Sequence, residues 1–327
     1  MGQTPADSLE DRDLGNGWTV IEKLHKGPFS TGGRFSVGYK VEKSGSQAYL
    51  KALDFSAASQ APDPARALQA MTEAFNFERD LLDKCKTQRL DRIITPLHDG
   101  SMIIPGFGDF SLVHYLIFEI ASGDIRKVVS DWQAFDLRWC LKSLHNVAVG
   151  LRQLHAAGIA HQDLKPSNVL VMMNSDSKIG DLGRASDQTK ESQNDHFPVP
   201  GDLGYAPLDL SYQDATGIDR FERRFLADIY LLGSLFFFYF TGVSATHLLR
   251  AELQGTTLTN TSFSADLPHL QHAFEEALSD LRNAVSAYAG ALTEEIVVLA
   301  QQLCDPDPTK RGDPRWKGSV VANHDLQ

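Results

Sequence analysis

Cysteine is nearly absent: the 327 residues hold three, Cys85, Cys140 and Cys304, far apart and without metal-ligand spacing. That excludes a disulfide framework and a thiolate metal site, and it fits reduced thiols in a cytoplasmic protein. Basic residues are in deficit, 31 against 42 acidic, for a formal charge of −11. Neither nucleic acid nor an anionic membrane surface is expected as the main partner of such a chain; the charge reads as an acidic, solvated surface. Long apolar runs are missing too. The longest, Ile229 to Phe240, is broken by Gly233 and Ser234 and is shorter than a bilayer requires. The opening MGQTPADSLEDRD has no apolar signal-peptide core, and Ala6 stands where an N-myristoylation signal wants Ser or Thr. No internal repeat is seen. What remains is 42% hydrophobic and 22% charged, enough apolar material for two lobes or two small domains.

Along the chain, residues 1–17 read as a polar, flexible tail. Three β-like runs follow, Trp18 to Leu24, Phe35 to Lys43 and Gln47 to Leu53, separated by Gly32-Gly33 and by Ser44-Gly45-Ser46. Asp63-Pro64 supplies an N-cap and an N1 proline for a helix reaching about Lys86. Two further strand-like segments, Arg92 to His98 and Leu112 to Glu119, flank a Gly/Pro-containing insert. After residue 120 the pattern turns helical. Leu137, Leu141, Leu144, Ala148 and Leu151 mark an amphipathic helix over about 136–157, stopped by Gly158. A small hairpin to about 183, a polar stretch to about 200 and helices to about 304 complete an α+β, two-lobed layout.

The chemistry concentrates after the amphipathic helix. His161-Gln162-Asp163-Leu164-Lys165-Pro166-Ser167-Asn168 is followed by an apolar strand and then by Asp181-Leu182-Gly183. This order resembles the catalytic loop and metal-binding motif of the eukaryotic-type protein kinase superfamily. The resemblance implies ATP and Mg²⁺ as cofactors and a protein substrate. Asp163 would take the proton of the attacking hydroxyl, Lys165 would neutralise the transferring phosphate, and Asn168 and Asp181 would give Mg²⁺ hard oxygen ligands.

Upstream, Ala48-Tyr49-Leu50-Lys51 resembles the strand with the nucleotide-binding lysine, whose partner is a glutamate on the next helix. Glu78 fits, because Met71, Phe75 and Leu82 share its helical face and a carboxylate in an apolar stripe needs a partner; Glu73 lies on another face. Gly32 and Gly33 would belong to the phosphate-covering loop, in which Thr31, Gly33 and Ser36 align with the family's three glycines. Tyr115 to Asp124 resembles the segment linking the lobes, with Phe118 as gatekeeper and main-chain groups of Glu119 and Ala121 on adenine. Gly201 to Asp209 resembles the substrate-docking segment, and Arg311 in Asp305-Pro306-Asp307-Pro308-Thr309-Lys310-Arg311 would pair with Asp209. The likeness covers about residues 18–315, with an N-lobe over 18–119, a C-lobe over 120–315 and a tail over 316–327.

Three departures matter. Gln162 replaces the arginine that reads an activation-loop phosphate in the family; an amide cannot grip phosphate as a guanidinium does. The chain is therefore expected to need no phosphorylation at Ser186, Thr189 or Ser192. Leu182 replaces Phe, an apolar exchange. Asp202 replaces the threonine of Ser/Thr kinases and is placed to pair with Lys165; Lys165-Pro166-Ser167-Asn168 retains the Ser/Thr-type pattern. Two other classes share parts of this set. Aminoglycoside- or choline-type phosphotransferases share the loop but lack the docking segment and the Arg311 motif. A pseudokinase acting as an interaction module would have lost Lys51, Asp163 or Asp181, and none is lost.

Overall fold

The computed structural model describes residues 4–25, 36–212 and 218–313, and the chain divides into two compact units, Met1–Gly123 and Asp124–Gln327. The first is built on an antiparallel sheet in the order β1-β2-β3-β4-β6-β5, with strands Asp13–Gly15, Trp18–Lys23, Ser36–Lys43, Ser46–Leu53, Pro96–Ile103 and Leu112–Glu119 for β1 to β6. Ser44 and Gly45, at φ of 52° and 80°, make the two-residue turn that sets Lys43 opposite Ser46. In β4 the period of two buries Ala48, Leu50 and Ala52 and leaves Tyr49 and Lys51 on the other face. Helix α1 (Pro64–Thr87) starts where expected, with the Asp63 carboxylate accepting from the Arg66 amide at 3.0 Å.

Two expectations fail here. The N-terminal stretch is not a loose tail over its described residues. Ala6, Leu9 and Leu14 are buried with Val20, Tyr39, Val41 and Ile117 in one core. The Tyr39 hydroxyl donates to the Ala6 carbonyl at 2.6 Å, and Lys23 Nζ meets Asp7 at 2.7 Å. A buried phenol needs a hydrogen-bond partner, and burial pushes that of Tyr39 up to about 12; the sparse apolar residues of the segment carry no period that would announce the packing. The fifth strand also lies later than Arg92 to His98. Its ladder with β6 runs to the Ile103–Leu112 pair and recruits Asp99, Gly100 and Ser101 against their propensity. Gly100 is needed there, since a Cβ would lie 2.4 Å from the Tyr115 hydroxyl.

The second unit begins at Asp124, the last residue of the short β7 (Gly123–Asp124), and comprises α2 (Ile125–Ser130), α3 (Leu137–Ala156), α4 (Arg220–Thr241), α5 (Ala245–Glu252), α6 (Phe263–Ala289) and α7 (Thr293–Cys304). Small strands β8 (Ile159–Ala160), β9 (Val169–Val171), β10 (Ser177–Ile179) and β11 (Ser186–Asp187) lie between α3 and α4; β9 pairs with β10 and β11 with β8, both antiparallel. Gly158 ends α3 at φ 72°. By length and composition α4 suits a bilayer, but 94% of its apolar window is buried within the protein. The Gly233 that interrupts the apolar run is a packing requirement: a Cβ there would lie 2.5 Å from Cys304 Sγ on α7.

The end of the described chain is pinned by a buried ion pair. Arg311 Nη2 reaches Asp209 Oδ1 at 2.5 Å, Nε donates to the Asp305 carbonyl at 2.8 Å, and neither side chain has exposed surface. The guanidinium also stands 5.0 Å from the Tyr230 ring centre. Removing Arg311 leaves the buried Asp209 carboxylate, among the described residues, only the more distant Arg223 Nε, 3.7 Å away. Arg311→Met should therefore destabilise the helical unit by about 3–5 kcal/mol in urea unfolding, and adding Asp209→Asn should recover part of the loss. A single-variant loss below about 1 kcal/mol would show that the pair is not a structural tie.

Candidate active site

In the sheet unit, Lys51 stands on β4 opposite Gly38 and Leu116, and its Nζ meets both oxygens of Glu78, at 2.8 and 3.1 Å. Glu78 is buried, whereas Glu73 is exposed and accepts from Gln69. The pair forms because the 3.6-residue period turns Glu78 inward with Phe75 and Leu82. Gly38 makes room for the neighbour of Lys51: a Cβ on it would press the Tyr49 ring at 3.0 Å. Gly32, Gly33 and Thr31 lie outside the described residues. Glu119 donates its amide to the Thr95 carbonyl at 3.1 Å and accepts the Thr95 amide on Oε1 at 2.7 Å. Its amide is thus engaged within the sheet unit. Ala121 follows β6 in irregular backbone, and Phe118 is buried within that strand.

In the helical unit the catalytic loop hangs from one carboxylate. Asp228, fully buried in α4, accepts the amides of His161 and Gln162 at 2.7 Å each and lies 2.9 Å from His155 Nε2. These bonds hold Gln162 at φ 62°, a left-handed conformation costly for a residue with a Cβ. His161 Nε2 bonds the Gly180 carbonyl at 3.1 Å and its Nδ1 accepts the Asp163 amide at 3.3 Å, which fixes the Nε2–H tautomer.

Asp163 is thereby presented with both carboxylate oxygens engaged. Oδ1 accepts the Asp202 amide at 2.7 Å; Oδ2 accepts Asn168 Nδ2 at 3.2 Å and lies 3.2 Å from Lys165 Nζ. Asn168 Nδ2 also donates to the Asp163 carbonyl at 2.8 Å. Burial pushes the Asp163 carboxyl above the ordinary carboxylate range, although Lys165 and the Asp202 amide pull against it. Burial opposes the Lys165 ammonium, yet Asp163 and Asp202, each 3.2 Å away, outweigh it and raise its pKa. The anticipated Asp202–Lys165 pairing is present. Gly201 allows this approach, since a Cβ there would lie 2.2 Å from the Gln162 carbonyl.

Asp181 is set beside Asn168 by the backbone: the Gly180 amide donates to the Asn168 carbonyl at 2.8 Å, and Asp181 follows at φ 61° with an exposed side chain, while Leu182 is fully buried. No cluster of three or more His, Cys, Asp or Glu suited to a metal occurs among the described residues. An Asn oxygen and one Asp carboxylate form an incomplete set of hard donors. Such a set fits Mg²⁺, which takes one or two protein ligands and completes its octahedron with phosphate and water.

The structure brings Lys51 to Glu78, and Asp163, Lys165, Asn168 and Asp202 into one network. The sequence reading missed Asp228 as the loop's anchor and Gly201 as its close contact. An Asp at the head of the apolar run Ile229 to Phe240 was the available signal for the first, because a carboxylate in such a stripe must be paired.

A family model described as the protein kinase domain matches residues 33–315. Curated relatives include Mitogen-activated protein kinase 4 of Oryza sativa, 38% identical over 79 residues that cover 24% of this chain and 21% of the relative. Mitogen-activated protein kinase 5 of Arabidopsis thaliana is 31% identical over 126 residues, 36% of this chain and 32% of the relative. The matched stretches thus span a third or less of these relatives' length. Because the domain model runs through nearly all the elements that carry this site, the chain belongs to the protein kinase domain family.

Proposed function

We propose that this chain transfers the γ-phosphate of ATP to Ser or Thr hydroxyls of protein substrates. The observation that carries the reading is the Asp163 carboxylate, fixed by the Asp202 amide and Asn168 and balanced by Lys165. As the substrate oxygen bonds to the γ-phosphorus and the bond to the β–γ bridging oxygen breaks, Asp163 accepts the hydroxyl proton. Its raised pKa makes it a better proton acceptor than an exposed aspartate. Lys165, held cationic by two carboxylates, offsets charge on the moving phosphoryl group. Lys51, oriented by Glu78, would address the α- and β-phosphates, and the Glu119 carbonyl and Ala121 main chain the adenine. Asn168 and Asp181 would hold Mg²⁺, which when bound would supply positive charge to offset that of the leaving diphosphate.

The choice of Ser/Thr rests on Lys165-Pro166-Ser167-Asn168, and two of the relatives, Mitogen-activated protein kinases 4 and 5, support a protein rather than a metabolite substrate. So does the Arg311–Asp209 tie, which fastens the docking segment that small-molecule phosphotransferases lack. We also place the protein in the cytoplasm, a reading supported by three free, buried cysteines.

Asp163→Asn should cut phosphate transfer from Mg-ATP to protein at least 100-fold, the scale of a lost general base, while Mg-ATP binding stays within threefold by calorimetry. Asp181→Ala should weaken Mg-ATP binding itself. Transfer by Asp163→Asn near the wild-type rate removes the base role, and unchanged affinity in Asp181→Ala removes the metal role.

Lys51 and Glu78 should behave as one unit. Lys51→Met and Glu78→Gln should each lower kcat/KM strongly, and the double variant should lose little more than the worse single. Losses that multiply would show that the 2.8 Å contact does not operate in transfer.

The pH profile follows from the direction of the Asp163 shift. The base works unprotonated, so kcat/KM should fall as pH drops, with a midpoint above the ordinary 3.8. The residual rate of Asp163→Asn should lack that limb; a limb shared by both proteins would belong to another group.

A further inference from the structure

A second buried charge network lies beside the catalytic loop, on residues that the proposed chemistry does not use. Arg224, on the first turns of α4, is buried with its Nη1 on Asp195 Oδ1, and its Nη2 donates to the Asp195 carbonyl at 3.3 Å. The same Oδ1 accepts the Ser186 hydroxyl at 2.9 Å, and Oδ2 accepts the Ser192 amide at 2.5 Å. Ser186 is fully buried; its oxygen in turn accepts Gln162 Nε2 at 2.6 Å, which also donates to the Arg184 carbonyl at 3.1 Å. Asn194 Nδ2 adds bonds to the carbonyls of Gly183 and Ala185, at 3.2 and 3.0 Å.

Donors therefore run in one direction, Gln162 to Ser186 to Asp195, and end on a carboxylate that Arg224 neutralises. Gln162 Nε2, the Ser186 hydroxyl and both Asp195 carboxylate oxygens each have a partner, the condition under which a buried network rigidifies its surroundings. Its inner end is Gln162, the left-handed residue immediately before Asp163. Its outer end is the segment that begins at Asp181 and reaches Asp202, whose amide holds Asp163. The position that would read a phosphate in a relative carries an amide here, and that amide is occupied by Ser186. Ser186 is for the same reason no phosphate acceptor in the folded chain.

We infer that Asp195 is a positioning residue: paired with Arg224, it anchors the 181–202 segment and, through Ser186 and Gln162, the backbone that presents Asp163, in place of an added phosphate. The inference rests on the phosphotransfer reading for its catalytic consequence and on the hydrogen-bond network alone for its structural one. Burial opposes the Asp195 charge, but Arg224, the Ser192 amide and the Ser186 hydroxyl hold its carboxyl below the ordinary aspartate range.

The test uses the full chain after phosphatase treatment, with Ser186→Ala, Asp195→Asn and, as a control in the same loop, the exposed Thr189→Ala. Two quantities are read: kcat and KM for Mg-ATP with casein as acceptor, and amide hydrogen exchange. Ser186→Ala and Asp195→Asn should speed exchange in the 181–202 peptides at least tenfold and leave the α4 and α7 peptides unchanged. They should lower kcat at least tenfold with KM for Mg-ATP within threefold, whereas Thr189→Ala stays within twofold on both. Ser186→Ala leaves the Asp195–Arg224 pair in place, so it reports even where Asp195→Asn fails to fold. Exchange unchanged in Ser186→Ala overturns the inference, as does faster exchange with unchanged kcat, or a wild-type kcat that falls tenfold on dephosphorylation. A wild type that binds Mg-ATP and transfers nothing, with exchange responding as stated, sinks the phosphotransfer reading and leaves the anchor supported.

Discussion

Removing a carboxylate completely from water costs several kcal/mol unless donors surround it, and the donors that Asp228 recruits are the amides of His161 and Gln162 and the His155 ring. That requirement sets the geometry of everything downstream. A loop amide can satisfy Asp228 only if the chain turns sharply at Gln162, and the left-handed backbone there is the consequence. The turn then aims Asp163 at the Asp202 amide and Asn168. Strain of order 1–2 kcal/mol in one residue is outweighed by two short bonds to a buried charge, so the Asp163 carboxylate has little freedom to wander.

The same logic recurs at three ion pairs among the described residues. Lys51 has Glu78, Asp209 has Arg311, and Asp195 has Arg224. Such pairs contribute little net stability compared with apolar residues of similar shape, because desolvation offsets much of the Coulomb gain. Their value lies in direction: an ammonium or guanidinium held by two or more oxygens points one way. In the sheet unit this orients Lys51; in the helical unit it ties Asp209 to Arg311 and the segment after Asp181 to α4.

How much of this was legible in the sequence depends on whether a residue's constraint is local. Helix α1 with its Asp63 cap, the Glu78 face and the loop from His161 to Asn168 are written in spacing, and spacing survives folding. Strand β5 was misplaced because its polar centre is strand only by pairing with β6. The N-terminal segment was misread because three scattered apolar residues acquire meaning only against Tyr39 and Ile117. Gly233 reads in the sequence as a break in an apolar run and Gly100 as part of an insert; both, like Gly201, are close contacts, each set by a side chain or carbonyl distant in sequence. The relay from Gln162 to Asp195 escaped for the same reason: Gln162 was read by what it lacks, a guanidinium, rather than by the serine it finds.

Asp202 shows how a departure from the family pattern changes the electrostatics without changing the scaffold. Its main chain does what the pattern needs, donating to Asp163, while its side chain adds a second carboxylate to Lys165. Two carboxylates to one ammonium leave a local formal charge of −1 before any phosphate arrives. At an effective dielectric of about 20, like charges about 4 Å apart repel by about 4 kcal/mol. An incoming polyphosphate therefore meets repulsion from Asp163 and Asp202 that Lys165 alone cannot cancel. On the proposed reading the balance would come from Lys51 and a divalent cation, and the oxygen donors that would hold the cation, Asn168 and Asp181, are joined to this loop by the Gly180–Asn168 hydrogen bond. A need for a divalent cation would, on that reading, follow from the charge count in the loop as well as from the chemistry of phosphoryl transfer.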